Sequence, residues 1–498
     1  MNRPQRNHHQ KTGTGSEFPT RIGCPISHRK FGACRRVLAL WTLFLLVAAA
    51  GHAQELYGVA PQGQGPLYGG VPSGKSSGDV LPLSLADALH RALKHNLGLL
   101  LSEQDVRVAQ GARMRALADL LPKLTTATSE TRQQINLAAL GFTGFPGIPA
   151  IIGPFNVFDT RAFVTQPILD FNALNKSKAE AENLRATEHS YKDTRDLVVL
   201  VAGNLYLEAL AGRSRIDATR AQLQTAQALY DLAVDRRKAG VVAGIDVLRA
   251  QVQLQAQQQR VIVAENDFAK QKLALARAIG LPEGQAFTLT DDIPYAPLTG
   301  ITKEYALDVA YKSRGDYLGA LDLVNAAEFQ KKADAGEGRP SLGLNADYGD
   351  IGQSPGSSHG TFTVAASLRI PIFEGGRVHA KVLEAEARLR QRQAQLEDLR
   401  ARIYYEVEAT FLDLKSADDR IQVARSALDL AQEEIKEVRD RFSVGVATSV
   451  EVVQVQDALA AASDNYISSL YTFNLAKGAL ARTMGIAEDA YQKFIGGK

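Results

Sequence analysis

Residues 238–247 read Lys238-Ala239-Gly240-Val241-Val242-Ala243-Gly244-Ile245-Asp246-Val247, and a near copy stands 205 positions on (443 − 238): Ser443-Val444-Gly445-Val446-Ala447-Thr448-Ser449-Val450-Glu451-Val452. A seven-residue apolar repeat precedes each copy. The first has Ile216, Leu223 and Tyr230, with Thr219, Ala226 and Ala233 three residues after each. The second has Ile421, Leu428, Ile435 and Phe442, with Ala424, Ala431, Val438 and Gly445 in the offset places. A sustained apolar heptad is the pattern of helices wound side by side in a left-handed coil. Gly240 and Gly445 stand where each run stops, and glycine just past a helix end supplies the left-handed backbone that other residues resist. Asp246 or Glu451 then falls in the first turn of a new helix, where a carboxylate suits the helix dipole. Each half of the chain thus contains a long helical hairpin with a glycine at its tip, and a fold built twice is the main inference.

The duplication extends outward. Leu89, Ala92, Asn96 and Pro122 recur as Leu307, Ala310, Arg314 and Pro340 at an offset of 218, which falls to 204 at Pro167 and Pro371. The first half therefore has fourteen extra residues (218 − 204), placed in a Gly- and Pro-rich apolar loop around 139–154. A helix is expected over 83–121, opened by Ser84 as cap with Asp87 three residues on and stopped before Pro122. Its counterpart spans 305–335. Long helices follow over 175–239 and 377–444, each on the order of 100 Å at ~1.5 Å per residue. Shorter ones span 246–279 and 451–484, so two short helices end to end match one long one. Gly203 and Gly212, inside the first long helix, read as tolerated glycines. The Pro- and Gly-containing segments 281–302 and 486–498 read as a small collar.

Between these landmarks the helical period gives way to alternation. Phe362, Val364, Ala366, Leu368 and Ile370 share one face, and Thr361, Thr363, Ser367 and Arg369 share the other. Residues 123–136, 155–168 and 341–349 occupy the matching places, giving two strands per half. Each is near the ~9–11 residues that a tilted strand needs to cross a bilayer, and apolar-out, polar-in alternation marks a transmembrane barrel wall. Four strands cannot close a barrel, and an open sheet edge in lipid leaves backbone groups unpaired at several kcal/mol each. A membrane-inserted chain of this kind must oligomerise.

The paired tips, of the form Gly-x-x-x-x-x-acidic-Val, resemble the TolC-type outer-membrane efflux channel family. So do Gln166-Pro167-Ile168-Leu169-Asp170 and its partner Ile370-Pro371-Ile372-Phe373-Glu374-Gly375-Gly376. The resemblance runs from about 83 to about 485. It implies a mainly α fold with transmembrane β: an internally duplicated subunit of a homotrimer, with an α-helical barrel and a shared 12-stranded β-barrel in outer-membrane lipid. It implies an exit duct of a tripartite efflux or type I secretion system, passive, docked to a periplasmic adaptor and an inner-membrane RND or ABC transporter. By the same resemblance Glu451 narrows the periplasmic entrance, where symmetry would repeat it as an acidic ring. The second acid of the family's gate is Gln454 here. Asp246 keeps the acid of the family's latch, but Phe442 and Ala447 replace its Tyr and Arg partners, so packing of Phe442 is the expected substitute. Plain helix N-terminal stabilisation, worth ~0.3–1 kcal/mol, is the other role open to Asp246 and Glu451. Gly240, Val241, Ala243, Gly445, Val446 and Thr448 are the tip residues expected to receive an adaptor.

The rest of the sequence sets bounds. Residues 37–50 form an apolar run behind Arg35-Arg36, and Gly51-His52-Ala53 suits a signal peptidase, so cleavage is expected after Ala53. Cys24 and Cys34 both precede the run, leaving no disulfide, no thiol chemistry and no lipid-anchoring cysteine beyond it. Residues 1–53 carry eight Lys or Arg and one acid, so the formal +3 of the whole becomes −4 after cleavage, and a basic face for nucleic acid is not supported. His90, His95, His189, His359 and His379 fall in no metal-binding pattern, Gly375-Gly376 lacks the surroundings of a phosphate loop, and Glu433-Glu434 belongs to a solvated mixed-charge face. No enzyme chemistry or cofactor is expected. The expected layout is 1–53 extension and signal peptide, 54–80 flexible mature N-terminus, 81–300 first repeat, 301–485 second repeat and 486–498 collar or tail. A soluble periplasmic coiled-coil adaptor would also explain heptads and signal peptide, but not alternating segments in matched places of both halves.

Overall fold

The structure, a computed structural model, describes residues 65–141, 147, 149–298 and 300–496. The extension, the signal peptide and residues 54–64 lie outside them. The element order repeats as the sequence does. The first half runs β1 (Leu81–Leu83), α1 (Leu85–His95), α2 (Leu97–Ala118), β2 (Lys123–Asn136), β3 (Ile151–Leu169), α3 (Phe171–Lys238) and α4 (Gly244–Ala278). After β4 (Phe287–Leu289) come α5 (Lys303–Ser313), α6 (Gly315–Gly336), β5 (Ser341–Gly352), β6 (His359–Arg369), α7 (Arg377–Ser443), α8 (Ser449–Thr483) and a closing α9 (Ala487–Gly496). The helices have 11, 22, 68 and 35 residues in the first half and 11, 22, 67 and 35 in the second.

The helices expected over 83–121 and 305–335 are each broken, at Asn96 (φ −66°, ψ 132°) and Arg314 (φ −64°, ψ 121°). These are the two residues that the 218-residue offset pairs. Extended backbone at one residue interrupts the helical ladder, and the side chain must then satisfy the new ends. The buried Asn96 accepts from Gly98 N (2.9 Å) and donates to Leu67 O (2.6 Å). The buried Arg314 instead bonds Asp316 (2.7 Å) and Glu406 (2.6 Å). Residues 65–80 are not the flexible stretch their composition suggests: Val71 N donates to His95 O (2.8 Å), Leu97 N to Gly69 O (2.9 Å) and Ser73 N to Gly280 O (3.2 Å).

β2, β3, β5 and β6 form one antiparallel sheet in that order. Its register sets whole rows on one face. Leu124, Val164, Ala346 and Val364 make one row, and Thr126, Ala162, Tyr348 and Phe362 lie two rows on. The rows that alternate with them, Thr125-Phe163-Asp347-Thr363 and Ala127-Arg161-Gly349-Thr361, are mostly polar and face the other way. One face is therefore apolar and one polar, and β2 and β6 are the open edges.

The main core lies at mid-height of the long helices, where β1 pairs with β4 and α9 closes the chain. Val198, Tyr206, Leu207 and Leu210 of α3 pack there with Leu275 and Ile279, and with Leu83, Phe287 and Tyr491. Residues of the expected collar segments, Leu281, Phe287, Leu289 and Tyr491, pack into this core, and that packing explains Gly203. A Cβ on Gly203 would overlap the Tyr491 ring, and one on Gly478 of α8 would sit 2.6 Å from Tyr491 Cε2. The ring is a peg between two glycines, with its hydroxyl bonded to Asn204 Oδ1 (3.2 Å). At Gly212 a Cβ would meet the movable end of Gln271, with Phe268 at 3.2 Å. Close packing, and not tolerance, is the reason for Gly203.

Lys477, fully buried beside the peg, donates to Ala296 O (2.9 Å) and Ile495 O (3.2 Å) and lies 5.2 Å from the Phe473 ring centroid. Burial pushes its pKa down to about 8.

Gly203→Ala should overpack the peg and destabilise the fold by about 1–3 kcal/mol. Gly111→Ala, where a Cβ meets nothing within 4 Å, should instead leave the melting temperature unchanged or raise it; equal losses at both sites in thermal melts would refute the peg. The lowered Lys477 pKa means that the folded state binds fewer protons than the unfolded chain between pH ~8 and ~10.5. The lysine's contribution is full above that window and lost as pH falls through 8. The melting temperature of wild type relative to that of Lys477→Met should accordingly rise from pH 8 to pH 10.

Candidate functional site: the two hairpin tips

Both tips close in the same way. Val241 N donates to Arg236 O and Val446 N to Arg441 O (2.9 Å each), while Gly240 N donates to Arg237 O and Gly445 N to Phe442 O (3.1 Å each). Gly240 (φ 76°) and Gly445 (φ 85°) take the left-handed backbone this turn needs. The glycines and the exposed Val241, Ala243, Val446 and Thr448 crown the two turns.

Beyond the glycines the copies diverge. Thr448 caps α8: its Oγ1 accepts from Glu451 N (3.3 Å), and Glu451 Oε1 accepts from Thr448 N (3.4 Å) and Oγ1 (3.1 Å). Glu451 is thus turned back onto its own helix, 3.9 Å from Arg441. At the matching place α4 has Ala243, with no side chain to cap it. The acid in its first turn, Asp246, reaches across and accepts from Ser449 Oγ of the other hairpin (2.6 Å), with Arg249 at 3.5 Å on its own helix.

Further ties join the hairpins. Asp457 accepts from Gln253 (3.3 Å) and Arg260 (3.2 Å). Arg236 lies over the Phe442 ring, 5.3 Å from its centroid, and donates to Ser443 O. Phe442 is buried with Leu229, Val438, Ala447, Val452 and Val455. Asp246 and Phe442 therefore do meet at one junction, and Glu451 stands beside it engaged in a cap. Sequence reasoning missed Ser449, Asp457, Gln253, Arg260 and Arg236. The available signal was their height: Asp246 and Ser449 lie six and four residues past their tip glycines, and Gln253 and Asp457 thirteen and twelve.

A subunit with rods on the order of 100 Å long and a sheet apolar on one face with both edges open has the make-up of a membrane channel subunit. Comparison with known proteins agrees. The profile of the outer membrane efflux protein family matches residues 88–281 and 323–486. The alkaline protease secretion protein AprF of Pseudomonas aeruginosa is 22% identical over 422 residues, covering 83% of this chain and 86% of its own. The outer membrane efflux protein BepC of Brucella suis is 23% identical over 424 residues, 84% of this chain and 88% of its own. The solved outer membrane protein VceC of Vibrio cholerae superposes with a TM-score of 0.70 at 20% identity, over 80% of this chain and 96% of that one. The chain belongs to the outer membrane efflux protein family. It is an outer-membrane exit duct of the TolC type, a transport family and not an enzyme family, and the soluble-adaptor reading is not supported.

Thr448→Ala removes a cap worth ~1 kcal/mol, so amides in the first turn of α8 should exchange with deuterium roughly 5-fold faster. Asp457→Ala cuts ties between hairpins and should speed exchange in α4 and α8 together. Unchanged exchange in α4 would show that these ties do not couple the hairpins.

Proposed function

We propose that three copies of this chain close a twelve-stranded β-barrel in the outer membrane and an α-helical barrel beneath it. The duct is passive, and it docks at its helical end to a periplasmic adaptor and an inner-membrane RND or ABC transporter. The observation that carries this reading is the sheet: four strands, one apolar face, and unpaired edges on β2 and β6. In hydrocarbon those edges need partners, and further copies of the same two edges supply them. The export reading draws support from the relatives, one a protease secretion protein and one an efflux protein.

The junction at the tips is the proposed entrance gate. Asp246 and the Phe442 cluster hold one chain's two hairpins together, and Glu451, three-fold repeated, gives the entrance its negative charge while capping α8. Gly240, Val241, Ala243, Gly445, Val446 and Thr448 form the docking surface: small, exposed residues that let a partner's helices approach closely. In this reading the mature chain begins after Ala53.

In outer-membrane fractions the protein should run as an oligomer that resists SDS until heated. With Cys24 and Cys34 gone after cleavage, single cysteines placed on β2 (125–129) and β6 (361–367) should pair between chains into disulfide-linked trimers. A chain that stays monomeric and water-soluble, with no β2–β6 cross-link at any register, would defeat the proposal. Glu451→Gln should lower cation preference in planar bilayers; an unaltered reversal potential would take Glu451 out of the gate.

A further inference from the structure

The polar face of the sheet carries a built charge group that the entrance does not explain. Arg161 of β3 donates through Nε to Asp159 (2.7 Å) and through Nη1 to Asp347 of β5 (3.0 Å). All three side chains are largely covered even in a single chain. Gly349 makes this geometry possible. It pairs directly with Arg161, and a Cβ there would lie 2.5 Å from Arg161 Cα and 2.7 Å from its Cγ. The missing side chain lets the arginine fold diagonally toward Asp347.

The register fixes the height of this group. On the opposite face, one row from Arg161, Tyr348 and Phe362 pair across β5 and β6, 68% and 76% exposed. Moving away from the helices, that face then turns polar: Thr128 bonds Thr160 (2.8 Å), and Asp350 shares their row. Aromatic residues flank the apolar band of a membrane barrel, so the band ends here. The triad faces the lumen at the end of the band far from the helices, which is the exit mouth.

The other full charges on the polar face, Lys123 and Arg369, sit near the helices, within 3.2 Å of Asp119 and 3.9 Å of Glu374. The triad is different: two carboxylates share one guanidinium, leaving one uncompensated negative charge per chain. We propose that Asp159, Arg161 and Asp347 set the ion preference of the exit mouth, three copies forming a cation-favouring ring separate from the entrance. This rests on the trimeric barrel proposed above. A lumen ring acts on passing ions over a Debye length, ~30 Å at 0.01 M salt and ~3 Å at 1 M. The preference should therefore depend on salt on the exit side.

The test is the reversal potential of purified oligomers in planar bilayers under a KCl gradient, with the dilute solution on the side of the strand turns. Asp347→Asn should lower the K⁺/Cl⁻ permeability ratio at least about twofold, and Asn345→Asp, which adds a carboxylate to the same face without touching the triad, should raise it; both effects should vanish when that side is at 1 M. Asn345→Asp decides the matter if Asp347→Asn does not assemble. Wild-type ratios in conducting variants, or changes that respond only to salt on the helical side, would overturn the inference while leaving the duct intact. A wild-type chain that conducts nothing would overturn both.

Discussion

A strand in hydrocarbon has no water to bond its backbone, and this single requirement governs the molecule. In this chain the sheet stops at β2 and β6 with one row of backbone groups open on each side. The proposed assembly answers that shortage more directly than any side-chain contact does. The register is held to match. A slip by one residue would turn every apolar row to the opposite face, and the rows Leu124-Val164-Ala346-Val364 and Thr126-Ala162-Tyr348-Phe362 keep one face across all four strands. The β3–β5 pairing is also where the two halves of the duplicated chain are joined in the sheet, and Arg161 binds across that seam.

Duplication fixed the lengths of the elements and left the chemistry of their ends free to diverge. Asn96 and Arg314 break corresponding helices, yet one answers with neutral bonds to backbone and the other with an ion network. The tips show the same divergence with a larger consequence. In the second hairpin Thr448 and Glu451 satisfy each other. In the first, Ala243 leaves the cap empty, at a cost of ~0.5–2 kcal/mol relative to a good cap. Asp246 is thereby free to bond Ser449 across the junction. A local deficit in one helix has become a tie between two hairpins.

Much of this was legible because it is local and periodic. The heptads located the long helices, the tip glycines located the turns, and alternation located four strands. What was not legible depends on partners far away in sequence. Neither Asn96 nor Arg314 is a helix breaker by type; the break at Asn96 exists because Leu67 O and Ala278 O wait for its amide. Gly203 looked tolerated because its reason, Tyr491, lies almost three hundred residues on. Residues 65–80 looked flexible by composition, but their backbone bonds to His95, Leu97 and Gly280 need no particular side chains and leave no trace in composition. At the tips, Asp246 was visible as the retained acid of a family pattern and Phe442 as a departure from it, whereas Ser449 and Asp457 match no motif and matter only through their height.

Packing is uneven along the rods. At mid-height an apolar core joins α1, α3, α4, α8 and α9, and the Tyr491 peg and the Lys477 ammonium fasten the C-terminal helix to the rods. Toward the tips the apolar contacts thin out to the cluster around Phe442, and half-buried and exposed polar ties carry the rest. Polar ties are individually weak and the exposed ones are screened by salt, so separating the hairpins there costs less than disturbing the core at mid-height. Stability is graded along the same helices. The hairpins can therefore separate at the tips as a local event while the core at mid-height stays packed.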